Sequence, residues 1–310
     1  MFNFFRKNKT PVVVGIQLSR DYISILVLDC QFAETPKIID YMNYSVGKET
    51  SAEKLVFRIK EYLEEHHLSD AKCCLVLDDQ DYQLLVVDPP NVPESEMAEA
   101  VKWKIKDLIQ YPIAEAVVDV FLQSDINSPE KYIANVIVAN KEIVDRKAGF
   151  IRSVGLCLVA IDIPELCYRN YFERSLYQEK NIALVSIKEN YGKIIVIKKS
   201  CVYFSRSFSL PYKGGLLDEI PESEVVLELQ RSLDYYERQL KQVMPTTAIF
   251  FGENVIEDKI TEVTRDNLNQ EVFVGQVEGF DFTEEDNMAS ARVMATYGAS
   301  LRRELFLGVG

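Results

Sequence analysis

Hydrophobic residues near the start of the chain fall into short β-branched and aromatic runs separated by turn residues. Val12–Leu18, Tyr22–Leu28 and Lys37–Val46 predict three successive strands. Ala52–Glu65 follows with helical periodicity, and Lys72–Leu77 predicts another strand. The same order returns in the second half. Ile182–Ile187, Lys193–Ile197 and Cys201–Ser207 precede a helical run, Glu222–Val243, and a strand, Thr246–Phe251. The turn after the first of these is expected at Glu189–Gly192, matching Ser19-Arg20-Asp21 in the first half. A doubled strand–strand–strand–helix–strand unit predicts an α/β protein of two similar lobes. The cleft between such lobes has a shape suited to a nucleotide.

A block at about 78–140 interrupts the first unit. It predicts a strand, Tyr82–Val87, a helix begun by Pro93, Glu94 and Glu96, and two strands, Ala116–Leu122 and Tyr132–Val138. Met97, Val101, Ile105 and Leu108 make one apolar stripe on that helix, which Tyr111-Pro112 would end. Trp103, the single tryptophan, falls nearly opposite the stripe at 100° per residue. It either packs on a neighbouring subdomain or anchors a partner. A helix (Glu142–Val154), a strand (Leu156–Ile161) and a helix (Pro164–Tyr177) lead into the second lobe. The 3,4 spacing of Val226, Leu229, Leu233, Tyr236, Leu240 and Val243 marks the long helix as one that buries a face on the second sheet. The chain thus divides into a first lobe at 1–180, carrying the insertion, and a second at 181–310, with a C-terminal helix returning to the first.

Charge narrows the function. Against 35 basic residues stand 48 acidic ones, a net −13, which argues against wholesale nucleic-acid binding. Much of the excess lies in Glu253–Asp286, read as a solvated face. The six cysteines have no Cys-x-x-Cys spacing, and His66 and His67 are adjacent and diverge on a helix, so a reducing cytoplasm and no zinc are expected. No apolar run approaches the ~20 residues that span a bilayer, and no signal-peptide core is present. The segment Phe2–Lys9 combines three phenylalanines with three cations. It is either a disordered leader or a weak contact to an anionic membrane surface. Nucleophile-elbow, P-loop and zinc-protease motifs are missing. Asp78, Asp79 and Asp81 form an acidic cluster, read as a solvated turn.

The doubled topology resembles the actin-like (ribonuclease H-like) ATPase fold. Five strings, Asp81–Leu85, Ala100–Ile109, Ile161–Leu166, Glu228–Arg238 and Tyr297–Arg302, resemble the PilM-like cytoplasmic components of type IV pilus systems, of the MSHA type. The resemblance spans essentially the whole chain. In nucleotide-binding relatives the first strand ends Gly-Ile-Asp-Ile-Gly. Here the matching residues are Gly15-Ile16-Gln17-Leu18-Ser19, so Gln17 and Ser19 replace a cation-binding Asp and an open-turn Gly. The second motif, Val-Asp-Ile-Gly, matches Val185-Ser186-Ile187-Lys188. The later Gly-Gly turn matches Gly252-Glu253-Asn254 and keeps one glycine. Both carboxylates are gone, which argues against ATP as a cofactor, although Lys188 offers a charge in their place.

Two functions follow from the resemblance. The first is a non-catalytic scaffold, peripheral to the inner membrane on its cytoplasmic side, that binds the N-terminal cytoplasmic peptide of a PilN-like inner-membrane protein. The resemblance puts that peptide between the first lobe and the insertion, near Tyr82, Leu84, Val86 and the helix of Trp103. The second is an active or nucleotide-regulated ATPase or kinase of the same fold.

Overall fold

The computed structural model describes residues 12–30, 36–47, 51–125, 128–175, 177, 180–214, 218–252, 254–265, 267–275, 277 and 287–306. In chain order its first elements are β1 (Val12–Leu18), β2 (Tyr22–Asp29), β3 (Lys37–Ser45), α1 (Ala52–Glu65) and β4 (Lys72–Val76). The insertion contributes β5 (Tyr82–Val87), α2 (Glu94–Ile105), β6 (Ala116–Asp125) and β7 (Ser128–Asn140). Then come α3 (Lys141–Ser153), β8 (Cys157–Asp162) and α4 (Pro164–Glu173). The second half has β9 (Asn181–Lys188), β10 (Tyr191–Lys198), β11 (Cys201–Ser209), α5 (Glu222–Arg238), β12 (Thr247–Gly252), α6 (Glu257–Arg265), β13 (Glu271–Val274), α7 (Asn287–Ser300) and α8 (Arg303–Phe306).

The internal repeat is explicit in the sheets. The first has strand order β3-β2-β1-β4-β8 and the second β11-β10-β9-β12-β13. In each, the first three strands are antiparallel and the last two join in parallel. Strands buried on both faces need helices on both sides. Ile59 and Leu63 of α1 and Ile151 of α3 cover one face of the first sheet. Val225, Leu229, Leu233 and Tyr236 of α5 and Ile260 of α6 do the same for the second. The facing surfaces share one core, in which Val13 and Leu26 of the first sheet and Leu184 and Ile195 of the second enclose Cys167 and Tyr168 of α4 and Met294 and Ala299 of α7.

The crossing of α4 and α7 is close because of glycine. A Cβ on Gly298 of α7 would collide with the Cys167 carbonyl of α4, and one on Gly15 of β1 with the Thr296 carbonyl of α7. That gives a physical reason for the glycine within Tyr297–Arg302.

Several expected boundaries shift: α4 stops at Glu173 rather than Tyr177, β6 runs on to Asp125 and β7 spans Ser128–Asn140, and three further shifts have a local cause. α5 stops at Arg238 rather than Val243, because Lys241 takes a left-handed conformation (φ 56°) and Leu240 N–H bonds back to the Tyr235 carbonyl. The chain must turn there to enter β12, and Val243 is left exposed. α2 ends at Ile105, so Met97, Val101 and Ile105 are buried but Leu108 is exposed. The β9–β10 turn is only Glu189-Asn190, with Asn190 left-handed (φ 65°), and Tyr191 and Gly192 already belong to β10. The segment Phe2–Lys9 and much of the acidic stretch 253–286 lie outside the described residues.

Replacing Gly298 with Ala is expected to destabilise the protein by about 1–3 kcal/mol through overpacking at the α4–α7 crossing. Gly149, in α3 with open space around it, provides the contrast. Gly149→Ala should stabilise by about 0.5–1 kcal/mol, because it only removes backbone freedom. Urea unfolding of both variants measures the difference.

Candidate functional site

The cleft between the two sheets is lined by the ends of β1 and β9, where the resemblance puts the two phosphate motifs. Gln17 is buried at the end of β1. Its Oε1 accepts from the Tyr22 hydroxyl at 3.2 Å, and its Nε2 has no partner. Ser19 caps the β1–β2 turn, donating its backbone N–H to the Tyr22 carbonyl at 3.0 Å while its Oγ is buried beside the Tyr22 hydroxyl. Ser186 is buried beside the Tyr168 hydroxyl. Gly252 ends β12 where a Cβ would collide with the Ile187 carbonyl of β9, so strand packing accounts for this glycine. Asn254 donates to the Tyr212 hydroxyl at 2.9 Å and the Asp218 carbonyl at 3.3 Å, which ties down the neighbouring loop.

The cleft's charge comes from elsewhere. Asp79, in the loop leaving β4, is not a solvated turn residue. Its side chain is 7% exposed and is held by lysines of the opposite sheet. Lys188 Nζ pairs with Asp79 Oδ2, where the Tyr191 hydroxyl also donates at 2.8 Å. Lys193 Nζ pairs with Asp79 Oδ1 and donates to Glu165 Oε1 at 2.8 Å and the Tyr82 hydroxyl at 2.9 Å. Three acceptors thus meet the three ammonium protons. The Tyr82 hydroxyl donates in turn to Glu165 Oε2, and Ser205 donates to Glu165 Oε1 at 2.9 Å. Two lysines balance two carboxylates, and every member of the set is bonded.

Electrostatics hold this arrangement charged. Burial pushes the Asp79 carboxyl up, but Lys188 and Lys193 outweigh it and keep the group well below the usual carboxylate range. Burial works downward on Lys188, and Asp79 overrides it, raising the ammonium well above its ordinary value. On Lys193 burial is likewise overridden, by Glu165 and then Asp79. Burial, then the Glu165 carboxylate, raises the Tyr82 phenol and keeps it a donor. The loop itself is pinned: Asp78 N–H donates to Asp81 Oδ2 at 3.0 Å, and Lys147 joins Asp81 to the Leu18 carbonyl, at 2.6 Å from the latter.

Lys188 is therefore already committed to a carboxylate and is not a spare charge for phosphate. Asp79, Glu165 and Lys193 went unread as site residues. The signal was a lone charge inside an apolar segment, as with Lys193 before Ile194-Ile195-Val196-Ile197.

The four expected peptide-contact residues do not form one surface. Tyr82 is buried with its hydroxyl engaged in the cleft network, so it is withdrawn as a peptide contact. Leu85 and Val87 pack with α2, whereas Leu84 packs against the main core. By strand alternation Val86 lies on the side of the inserted sheet away from α2, and it is exposed. Trp103 is 76% exposed on the outer side of α2, beneath Lys106. Val86 and Trp103 thus face opposite sides of the insertion. On the Val86 side, Gln123 Nε2 and Asn135 Nδ2 are buried without partners. Among the described residues no group of three or more His, Cys, Asp or Glu is placed to hold a metal, and no helix is long and apolar enough to cross a membrane.

Comparison with solved structures assigns the architecture. The chain has the actin-like ATPase fold. It is similar to a structure described as the PilM-PilN type IV pilus biogenesis complex, with TM-score 0.74 and 17% identity over 94% of this chain and 98% of that one. It is also similar to the cytoplasmic domain of EpsL, an inner-membrane component of the type II secretion system of Vibrio cholerae. There the TM-score is 0.56 and the identity 12%, over 96% and 99% of the two chains. A Bacteroides thetaiotaomicron protein with an actin-like ATPase fold and unknown function matches with TM-score 0.52 and 12% identity, over 89% and 94%. No protein-family model matches the sequence, and no curated protein matches it.

Asp79→Asn would leave the buried Lys193 and the part-buried Lys188 to share one carboxylate, an expected cost of about 3–5 kcal/mol. The folded pKa of Asp79 lies below its unfolded value. Its contribution is therefore fully present above the unfolded value and erodes as pH falls below about 4. Urea unfolding at neutral pH should show the loss, and titration toward acid should show a shallower decline for the variant than for the wild type.

Proposed function

We propose that this protein is a non-catalytic scaffold of a type IV pilus system, or of a related secretion platform. In this reading it sits at the cytoplasmic face of the inner membrane and holds the N-terminal cytoplasmic segment of a PilN-like membrane protein. The observation that carries the non-catalytic part is the occupied cleft. Gln17 and Ser186 stand where the resemblance expects carboxylates, and Lys188 is paired with Asp79. A hard cation has no ligand pair there, and an ATP tetra-anion would have to displace Asp79. The same observation disfavours the ATPase or kinase reading. The likeness to PilM, over nearly the full length of both chains, supports the pilus reading. The sequence strings favour the MSHA pilus component MshI as counterpart, and Phe2–Lys9 would add a weak membrane contact.

The peptide surface is the Val86 side of the inserted sheet. β5 is an edge strand of the order β5-β7-β6, open to main-chain pairing by an added strand. Trp103, on the other side, does not share this surface.

Calorimetric titration with a synthetic peptide of the PilN-like partner's cytoplasmic N-terminus tests the reading. Val86→Asp should weaken binding by about tenfold or more, and Trp103→Ala should leave it within about twofold. Weakening by Trp103→Ala alone would move the groove to α2. No binding to the wild type would remove the scaffold function as stated.

A further inference from the structure

The strand read as the peptide's edge and the cleft network share a residue. β5 starts at Tyr82, whose phenol is bonded to elements outside the inserted sheet. It accepts from Lys193 Nζ of β10 at 2.9 Å and donates to Glu165 Oε2 of α4. The same ammonium lies 5.2 Å from the centre of the Tyr82 ring. The loop just before β5 is held as well, by Lys188 and Lys193 through Asp79 and by Lys147 through Asp81.

Towards its other end the strand is held less firmly. β7 pairs with it on one side, from Tyr82↔Ala139 to Val87↔Ala134, and no second strand neighbours it among the described residues. Exposure rises from 8% at Tyr82 to 62% at Val86, two positions that point to the same side. A strand with a single neighbour readily twists or bulges. The opposite edge of the sheet, β6, carries a charge, Asp119, whose carboxylate takes the Val120 N–H at 2.9 Å. Such a charge guards an edge against pairing. β5 has no charged residue along its length, and its distinguishing feature is the anchor at Tyr82.

We propose that Tyr82 is a positioning residue for the partner. Resting on the reading of β5 as the strand that takes the peptide, its phenol sets the direction and twist of that edge before the peptide arrives. An added strand must align its main-chain groups with β5 over several residues, and an edge already ordered loses less freedom on binding. Lys193 and Glu165, buried in the cleft, thereby contribute to affinity without touching the peptide.

Calorimetric titration with the same synthetic peptide, alongside urea unfolding of each variant, tests this role. Tyr82→Phe keeps the buried ring and loses the bonds to Lys193 and Glu165. It should weaken binding by about threefold to tenfold at a temperature where the variant is fully folded. Ser205→Ala removes a different hydrogen bond from the same network, the one from β11 to Glu165 Oε1, and leaves the anchor of β5 in place. It should lower stability while holding affinity within about twofold of the wild type. Unchanged affinity in Tyr82→Phe, or equal weakening by Ser205→Ala, would overturn the positioning role while the wild type still binds. No binding to the wild type would overturn the reading of β5 and this role with it.

Discussion

One buried carboxylate organises the cleft. Asp79 leaves the first sheet at the end of β4 and is held by Lys188 and Lys193 of the second. An unpaired charge at this depth is costly, so each lysine fixes the position of the carboxylate and the carboxylate fixes both lysines. Glu165, Tyr82 and Ser205 complete the hydrogen bonding, so the set is neutral and satisfied. The two halves of the repeat are thereby tied at the place where the resemblance would expect a cation and phosphates.

The hydrophobic frame makes this possible. α4 and α7 lie between the facing sheets, and α4 carries Glu165 into the network from within the shared core. Gly298 lets the helices cross closely. With the sheets set by packing, the polar groups of the cleft meet in a fixed geometry. Apolar burial supplies the bulk of the attraction, and the ion network supplies its specific register.

Much of the fold was legible from local pattern. β1, α1 and β5 have the ends expected of them, because turn residues and caps bound their apolar runs. α7 was not legible as an amphipathic helix. It is packed between a sheet and another helix, so small and apolar residues surround it and leave no polar stripe to read. α5 stops short of its apolar spacing because the chain turns at a left-handed Lys241, which periodicity does not reveal. The candidate site was legible only by subtraction. The resemblance sets Gln17 and Ser186 where two carboxylates would be expected. The replacement pairs residues 109 positions apart, Asp79 and Lys188, which local spacing cannot connect. The resemblance grouped Trp103 with Val86, and an α2 packed on one side of its sheet separates them.

We propose that the protein's own charges fill the cleft and leave no place for a nucleotide. Thermal unfolding with and without millimolar Mg-ATP tests it most directly. Because ATP would first have to break Asp79 from Lys188, the melting temperature should not change. A ligand present at ~100 Kd and binding only the folded state stabilises it by about 2.7 kcal/mol, and a melting temperature raised to that extent by Mg-ATP would contradict the account.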